Sequence, residues 1–286
     1  MVIGVTGATG TIGRHLLGLL AARGATVRAY SRDPDRVERW PGVTPVRTDL
    51  ADRDALPAAL DGVRALFLLT GNADDMVRLQ KNAIAAARRA GVERLVKLSA
   101  LGATDHSRSV IGLWHYNIER VLRATGLGWT ILRPHHFMQN LLDRTVFDRR
   151  CGRIRSASGS GAVPFVDSRD IAAAAAVILT EGGHRGEIHT LTGPEAITYG
   201  GATEILSRVL DRPLTFVAES DDDAWRRLRA AGLPTWLVAA RIAIASYQRA
   251  GGPSARVTDA IERLTGRPAR TLREFAESHA EALAAL

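Results

Sequence analysis

The stretch VIGVTGATGTIG, residues 2–13, decides the fold of this chain. Its apolar start predicts a buried strand, and the residues that follow Gly13 have helical spacing. Between them stand Gly7, Gly10 and Gly13, each separated from the next by two residues. Unpaired backbone N–H groups and the positive end of a helix dipole face one point in such a layout, which favours a bound pyrophosphate. The stretch therefore predicts a dinucleotide-binding loop, although its GxxGxxG spacing differs from GxGxxG and glycines also make plain turns.

Each glycine has an expected task in this loop. Gly7 permits a tight turn after the strand, because glycine adopts backbone angles that other residues avoid. Gly10 lets the backbone approach the phosphates, and Gly13 lets the helix pack closely on the strand.

Short apolar strands alternate with helical segments through the first half of the chain. Several predicted helices stop at a glycine, such as Gly24 and Gly91, where a left-handed residue ends a helix at little cost. This alternation predicts an α/β fold with a parallel sheet that helices cover on both faces. The predicted strands are 2–6, 26–30, 44–47, 65–69, 95–98 and 129–132, and the predicted helices are 13–23, 35–40, 53–60, 73–90 and 112–125.

The alternation weakens after about Asn140. The stretch RSASGSGAVPF, residues 155–165, predicts a loop because it is rich in glycine and serine. A helix at 168–180, a short strand near 188–191 and a helix at 198–210 are expected next, followed by a mostly helical C-terminus.

The end of the second predicted strand bears on the choice of cofactor. Arg32 stands where an acidic residue would hold a ribose diol, and an arginine there pairs with a 2′-phosphate instead. Asp33 offers the acidic alternative, but the following Pro34 favours Asp33 as a helix N-cap. We therefore expect NADPH, with NADH as an alternative. Asp49, after the third strand, has two open interpretations: it binds the adenine amino group, or it caps the next helix in competition with Asp52.

Composition excludes several classes of protein. The net charge of +8 comes from arginines that are scattered along the chain without a basic block, so we expect no nucleic-acid partner. The single cysteine, Cys151, cannot form an internal disulfide. No apolar run approaches the roughly 20 residues of a membrane span, and no secretory signal precedes Val2. These features predict a cytoplasmic protein with no membrane association.

Five stretches together resemble the NmrA-like atypical short-chain dehydrogenases: VTGATGTIG, RLVKLSALGA, HYNIERVLRATGLGWTILRPHHFMQNLL, FVDSRDIAAAAAVILT and ERLTGRPARTLREFAESHAEAL. The resemblance runs nearly end to end and is closest to members known as quinone oxidoreductases or azoreductases. It implies a Rossmann-type, doubly wound parallel sheet with a small, mostly helical C-terminal substrate domain. Residues 1–150 would form the dinucleotide-binding domain, to which a segment of about 165–195 returns, and residues 151–286 the substrate-binding region.

The resemblance also implies which residues contact the cofactor. These are Gly7, Thr9, Gly10, Thr11, Ile12, Gly13, Arg32, Asp49, Leu50, Thr70, Gly71, Ser99 and the segment after Arg133, which begins with Pro134 and His135.

The chain departs from the dehydrogenases among the family's extended short-chain relatives at the residue that donates the proton. Those relatives carry a Tyr-x-x-x-Lys pair with Glu four residues after the Lys. Anchoring on Glu119 puts His115 at the lysine place and Ile111 at the tyrosine place, so the phenol is missing. The candidate catalytic residues are therefore His115 and Ser99, together with Tyr116, which lies one residue beyond the lysine place on a different helical face.

A quinone needs less help from a proton donor than a ketone, because hydride transfer gives a well-stabilised hydroquinone anion. The sequence thus favours an NADPH-dependent reductase of a quinone or polycyclic aromatic. Trp114, His136, Phe137 and Met138 are the candidate substrate-binding residues, each with core packing or a surface position as its alternative. No group of residues has metal-ligand spacing, so no metal is expected.

Two other functions stay open. One is an oxygen-using version of the reaction in aromatic polyketide biosynthesis, in which the reduced hydroquinone becomes hydroxylated. The other is a non-catalytic NAD(P) redox sensor that binds a protein partner, which the missing tyrosine keeps open. A homodimer is a further open alternative.

Overall fold

The computed structural model describes residues 1–285 and contains twelve strands and eleven α-helices in that range. The strands are β1 (Val2–Val5), β2 (Thr26–Ser31), β3 (Val43–Arg47), β4 (Val63–Leu68), β5 (Arg94–Leu98), β6 (Gly128–Pro134), β7 (Phe147–Asp148), β8 (Arg153–Ser156), β9 (Ala162–Val163), β10 (Glu187–Leu191), β11 (Ile197–Thr198) and β12 (Thr215–Ala218). The helices are α1 (Thr11–Ala22), α2 (Leu56–Ala59), α3 (Met76–Arg89), α4 (Val110–Arg123), α5 (Ser168–Glu181), α6 (Tyr199–Val209), α7 (Asp221–Ala230), α8 (Thr235–Ala250), α9 (Ala260–Thr265), α10 (Leu272–Ser278) and α11 (Ala280–Ala284).

A seven-stranded sheet in the order β10-β6-β5-β4-β1-β2-β3 organises the fold, and all its strands are parallel. From β1 the chain moves outward to β2 and β3, then crosses to β4 on the other side of β1. The carboxyl ends of β1 and β4 therefore form the topological switch point, where open α/β sheets bind their ligands.

Two apolar layers sandwich this sheet. Leu16 and Leu20 of α1 pack with residues of α5 and α9 on one face, and Ile84 of α3 packs with Leu122 of α4 on the other. Side chains alternate across each strand, so Leu66 faces α3 and α4 while its neighbours face the opposite layer. The predicted Rossmann-type sheet with helices on both faces is confirmed.

The predicted elements of the first half agree with the observed ones to within a few residues at most ends. Gly24 and Gly91 end their helices with positive φ angles of 68° and 72°, as expected. The predicted helix 35–40 is only a 3₁₀ turn, Pro34–Arg36. Strand β10 lies in the segment expected to return to the first domain and pairs with β6. The division of the chain into two domains near residue 150 stays a prediction.

The loop predicted at 155–165 is wrong in part. Arg155 and Ser156 belong to β8, which pairs with β7 and, in parallel, with the distant β12 to form a three-stranded sheet. Ala162 and Val163 form β9, which pairs with β11. A third apolar cluster, which includes Phe147, lies beside these small sheets. None of the helices in residues 1–285 has the length and apolar character to cross a membrane.

Candidate active site

A crevice of about 1120 Å³ opens at the carboxyl edge of the large sheet, at the switch point between β1 and β4. Its other side is formed by residues of β8, α7 and α8. The predicted site residues that line it are Gly7, Thr9, Gly10, Thr11, Ile12, Arg32, Asp49, Leu50, Thr70, Gly71, Ser99, His115, Pro134, His135, His136 and Phe137.

The glycine loop has the backbone geometry that a pyrophosphate needs. Gly7 has φ of +64°, and a Cβ at this residue would stand 2.9 Å from the Leu69 carbonyl oxygen. Gly10 is the N-cap of α1 and offers no side-chain acceptor to the first turn, which also contains no acidic residue. The amide groups of that turn therefore keep their capacity for an anion. These features fit a dinucleotide phosphate.

Gly13 does not line the crevice but faces the loop itself. A Cβ here would stand 2.1 Å from the carbonyl oxygen of Gly7, so only glycine lets α1 approach the loop this closely. Gly13 thus allows close packing of α1 on the loop, and its part in cofactor binding stays a prediction.

At the end of β2, Arg32 and Asp33 were the two candidates for selecting the cofactor, and the structure gives them different surroundings. Asp33 accepts a hydrogen bond from the backbone N–H of Asp35 at 3.2 Å and caps the following turn, as predicted. Arg32 is exposed on the crevice, and its carbonyl oxygen accepts a hydrogen bond from the Arg47 guanidinium at 3.0 Å. Two cationic side chains thus lie near the place where a 2′-phosphate would be recognised.

The acidic residues after β3 also divide their tasks. Asp52 accepts hydrogen bonds from the backbone N–H groups of Asp54 and Ala55 at 3.2 and 3.0 Å, which organises the start of the short helix α2. Asp49 accepts one from Ala51 at 2.9 Å and lines the crevice. Neither residue is the N-cap of α2, which is Ala55 without a side-chain hydrogen bond, so Asp52 orders the turn before the helix and adenine binding by Asp49 stays a prediction.

A buried polar network underlies the centre of the crevice. Glu119 of α4 is 1% exposed and accepts two hydrogen bonds from Arg133, at 3.0 and 2.6 Å. It also accepts bonds from Arg123 at 2.9 Å and from the Ser99 hydroxyl at 2.6 Å. The buried charge is thus fully paired, and the network fixes the Ser99 side chain at the crevice wall.

Behind this wall, Lys97 contacts His115. The Lys97 ammonium is completely buried at the end of β5, with Nζ 2.9 Å from His115 Nδ1 and 2.9 Å from the Leu98 carbonyl oxygen. Burial lowers the pKa of Lys97 to about 7, and nearby Glu119 opposes that shift. Burial, and then the charges of Lys97 and Arg133, hold the pKa of His115 well below its usual value. His115 is therefore a neutral imidazole.

Two adjacent histidines line the crevice beyond β6 and are fixed by hydrogen bonds. His135 Nε2 donates to the Ser254 carbonyl oxygen at 2.8 Å, while its Nδ1 accepts from the backbone N–H of His136 at 2.6 Å. His136 Nε2 lies 3.0 Å from the Tyr199 hydroxyl. Burial lowers the pKa of His135 to about 4 and that of His136 to about 3, and burial raises the pKa of Tyr199. All three side chains are thus neutral.

Besides Gly13, three predicted site residues do not line the crevice. Tyr116 is half-buried on another face of α4, with the Arg120 guanidinium 6.0 Å from its ring centre. Trp114 packs on Trp236, with ring centres 5.0 Å apart, and Met138 is buried in the third apolar cluster. Helical spacing explains the first two, because neighbours of an inward-facing His115 must point elsewhere.

Sequence reasoning missed several residues in or behind the crevice wall. Lys97 lies behind it and could have been found from the charge it places in the otherwise apolar predicted strand 95–98, since a buried charge needs a partner. Arg155, Arg227 and Arg241 carried no local signal, because β8, α7 and α8 supply them from distant parts of the chain. The sequence also missed a group of potential metal ligands, His184, Glu187 and His189, whose ligand atoms lie within 4.8 Å of one another outside the crevice.

Comparison with known proteins connects this geometry to a family. The model of a family described as NAD(P)H-binding matches residues 7–181, which is more than half of the chain and includes the glycine loop. The chain belongs to this NAD(P)H-binding family. The expected resemblance to NmrA-like proteins of the quinone oxidoreductase and azoreductase type is confirmed.

Three proteins show how far the likeness of this family member extends. A (4-alkanoyl-5-oxo-2,5-dihydrofuran-3-yl)methyl phosphate reductase of Streptomyces griseus is 41% identical over 98% of both chains. An NAD(P)H azoreductase of Xenophilus azovorans is 35% identical over 98% of this chain and 99% of its own. The NADPH complex of an Escherichia coli NADPH-dependent quinone oxidoreductase has a TM-score of 0.87 at 27% identity, covering 96% of this chain and 99% of that one. The chain is thus an NAD(P)H-dependent oxidoreductase related to quinone oxidoreductase and azoreductase.

Proposed function

We propose that this oxidoreductase uses NADPH to reduce a quinone or polycyclic aromatic, with His115 as the proton donor. The observation that carries the proposal is that His115, held by the buried Lys97, opens onto the same crevice as the glycine loop. A reductase needs these two parts together, a nucleotide site and a proton source.

The residues of the glycine loop would hold the dinucleotide phosphates, and Arg32 would pair with the 2′-phosphate of NADPH. When bound, NADPH supplies the hydride for the reduction. Asp49 and Leu50 would border the adenine, while Ser99, Pro134 and His135 would border the nicotinamide end. The pairing of Arg32 is the basis for preferring NADPH to NADH.

Lys97 decides which nitrogen of His115 carries the proton. A Lys97 ammonium donates to Nδ1, so the ring proton of the neutral imidazole stands on Nε2. As negative charge develops on the acceptor oxygen, Nε2–H gives it a proton while Nδ1 takes one from Lys97. The imidazole stays neutral and changes tautomer, and Lys97 becomes a neutral amine. One proton leaves Lys97 and one reaches the product.

This proton path suits a quinone better than a simple ketone. A hydroquinone anion is far better stabilised than an alkoxide, so hydride transfer to a quinone needs little help from an acid, and a lysine with a pKa of about 7 is acidic enough to protonate the product. Phe137, Leu237 and Ile242 give the crevice apolar surface for a flat ring. His136 and Tyr199, both neutral, would face the substrate from the same side.

Purified protein with NADPH and a panel of simple and polycyclic quinones tests the proposal. NADPH absorbance and dissolved oxygen are followed together, and products are identified by mass. NADPH loss matched by hydroquinone, without added oxygen demand, supports the reductase. A hydroxylated product would favour the oxygen-using version. Tight NADPH binding without turnover of any acceptor would favour the sensor and contradict the proposal.

A second candidate substrate, a conjugated lactone that carries a phosphate, is favoured by the charges of the crevice. Arg241 pairs with Asp143 at 2.8 Å, while Glu219 is shared between Arg227 at 2.5 Å and Arg155 at 4.0 Å. Three guanidinium groups against two carboxylates leave one excess positive charge. The Streptomyces griseus relative is named for a phosphate ester of this kind.

The second candidate is tested with a butenolide methyl phosphate and its dephosphorylated alcohol. A kcat/KM preference for the phosphate that disappears in Arg241→Met would support it. Arg226→Met is the matched control, because Arg226 lies on α7 as an exposed residue outside the crevice. Equal kcat/KM values for the two compounds would remove this candidate.

A further inference from the structure

A group of three side chains lies at β10, one of the two edge strands of the large sheet, away from the crevice. Glu187 and His189 are two residues apart on β10, so both point to the same face of the sheet. His184 precedes the strand and turns back toward them, with its carbonyl oxygen held by the Thr130 hydroxyl at 2.8 Å. We propose that His184, Glu187 and His189 bind a divalent transition-metal ion of the zinc class.

The distances among the ligand atoms suit such an ion. His184 Nδ1 and His189 Nε2 each lie 3.1 Å from Glu187 Oε2, and all three atoms lie within 4.8 Å of one another. Ligands at 2.0–2.1 Å in a tetrahedron around zinc are about 3.3 Å apart. The two imidazole rings stand at 76° with centres 5.2 Å apart, so both can direct a nitrogen toward one point.

A second observation separates this group from an ordinary set of hydrogen bonds. The His189 side chain is only 9% exposed, and its Nε2 makes no hydrogen bond of acceptable geometry although Glu187 Oε2 is close. A buried nitrogen without a hydrogen bond is costly unless its lone pair has another partner. A metal ion at the centre of the group would supply that partner.

The surroundings permit an ion and indicate its chemistry. His184 and Glu187 are 25% and 49% exposed, which gives an ion access from solvent. The positive charge of Arg263 on α9 disfavours a further positive charge at His189. Asp259 lies 3.4 Å from the Arg263 guanidinium and offsets that charge. Two imidazoles and one carboxylate favour zinc or its transition-metal neighbours over Mg²⁺ or Ca²⁺.

The position of the group indicates a structural task. Glu187 begins β10, whereas the crevice lies at the carboxyl ends of the strands. An ion here would tie the turn after α5 to the edge strand of the sheet. Binding would therefore raise thermal stability and leave NADPH binding unchanged.

Titration of chelator-treated, tag-free full-length protein with ZnCl₂ tests the proposal by calorimetry and by equilibrium dialysis with metal analysis. The expected result is saturable, stoichiometric Zn²⁺ binding and a higher Tm, with MgCl₂ producing neither. The His184→Ala/His189→Ala double variant should weaken Zn²⁺ binding by more than about tenfold. His106→Ala is the matched control, because His106 is exposed beside Asp105 alone.

Circular dichroism and NADPH binding check that the double variant is folded. Absence of saturable Zn²⁺ binding in the wild-type protein would overturn the proposal. Equal Zn²⁺ affinity in the wild-type protein and the folded double variant would overturn it as well. A second, milder variant, Glu187→Gln, keeps the size of the side chain and should weaken Zn²⁺ binding without altering the fold.

Discussion

The two walls of the crevice are built in different ways. The sheet-side wall, formed by the residues that follow β1 to β6, presents backbone groups, small side chains such as Ser99 and a few larger ones such as Arg32 and His136, all placed by the ends of the strands. The helical wall, formed by β8, α7 and α8, presents long side chains such as Arg155, Arg227 and Arg241. Backbone geometry is shared by a family, whereas long side chains are easily exchanged. We therefore propose that the sheet-side wall binds the cofactor and that the helical wall contributes most to the choice of substrate.

Gly13→Val gives the largest effect expected on NADPH binding. Even a Cβ at this residue would stand 2.1 Å from the Gly7 carbonyl oxygen, so the loop must move. We expect NADPH binding, measured by calorimetry, to weaken by more than about a hundredfold, or about 2.7 kcal/mol. Gly18→Ala on the same helix is the control, because its new Cβ meets only the ring of Trp40 at 3.3 Å. Near-normal NADPH binding by Gly13→Val would contradict the assigned geometry.

Glu119→Gln tests the buried ion-pair network that supports the sheet-side wall. The substitution leaves Arg133 and Arg123 without their buried carboxylate partner, and breaking a buried ion pair costs about 3–5 kcal/mol. Urea unfolding should show a loss of that order in the free energy of unfolding. A control is Glu93→Gln, which removes an exposed pair with Arg64 and should cost less than about 1 kcal/mol. Equal losses in the free energy of unfolding of the two variants would show that the buried network contributes little to stability.

Lys97→Met tests whether Lys97 supplies a proton to His115 or only packs in the core. The pKa of Lys97 is lowered to about 7, so its ammonium is present below that pH and lost above it. We expect wild-type kcat to fall as pH rises through about 7, because the relay loses its proton. The variant should show a kcat lower by about a hundredfold on the acidic side and no break near pH 7.

Two measurements keep this prediction informative if Lys97→Met is unstable. The NADPH Kd reports whether the variant still folds, and His115→Gln removes the relay with a smaller change to the core. A variant that is slower but keeps the break near pH 7 would show that Lys97 acts only through packing.

How much the sequence predicts differs between the two walls for a physical reason. The glycine loop, Asp33 and the strand ends depend on neighbours within a few residues, so local patterns identify them. Lys97 meets His115 across 18 residues, and β8 meets β12 across more than fifty, with Arg153 opposite Thr215. Such contacts depend on the packing of the whole chain. Local sequence patterns therefore could not predict the helical wall or its arginines.

Arg32→Glu tests whether Arg32, on the sheet-side wall, selects NADPH over NADH. A guanidinium that pairs with a 2′-phosphate is worth about 1.5–3 kcal/mol, and a glutamate there would repel the phosphate. The ratio of kcat/KM for NADPH to that for NADH should fall by about tenfold or more. Arg36→Glu is the matched control, because Arg36 is exposed in the next turn and does not line the crevice. An unchanged ratio in Arg32→Glu would remove Arg32 as the selector.

Tyr116→Phe gives the smallest expected effect and tests where the site ends. Tyr116 lies beside His115 in sequence, yet its ring packs near Arg120 on another face of α4, outside the crevice. Loss of its hydroxyl should therefore change kcat/KM by less than about twofold and stability by less than about 0.5 kcal/mol. His115→Gln, one residue away, should lower kcat by about a hundredfold or more. A comparable loss in both variants would mean that α4 rotates when substrate binds, because only then could both side chains reach one acceptor.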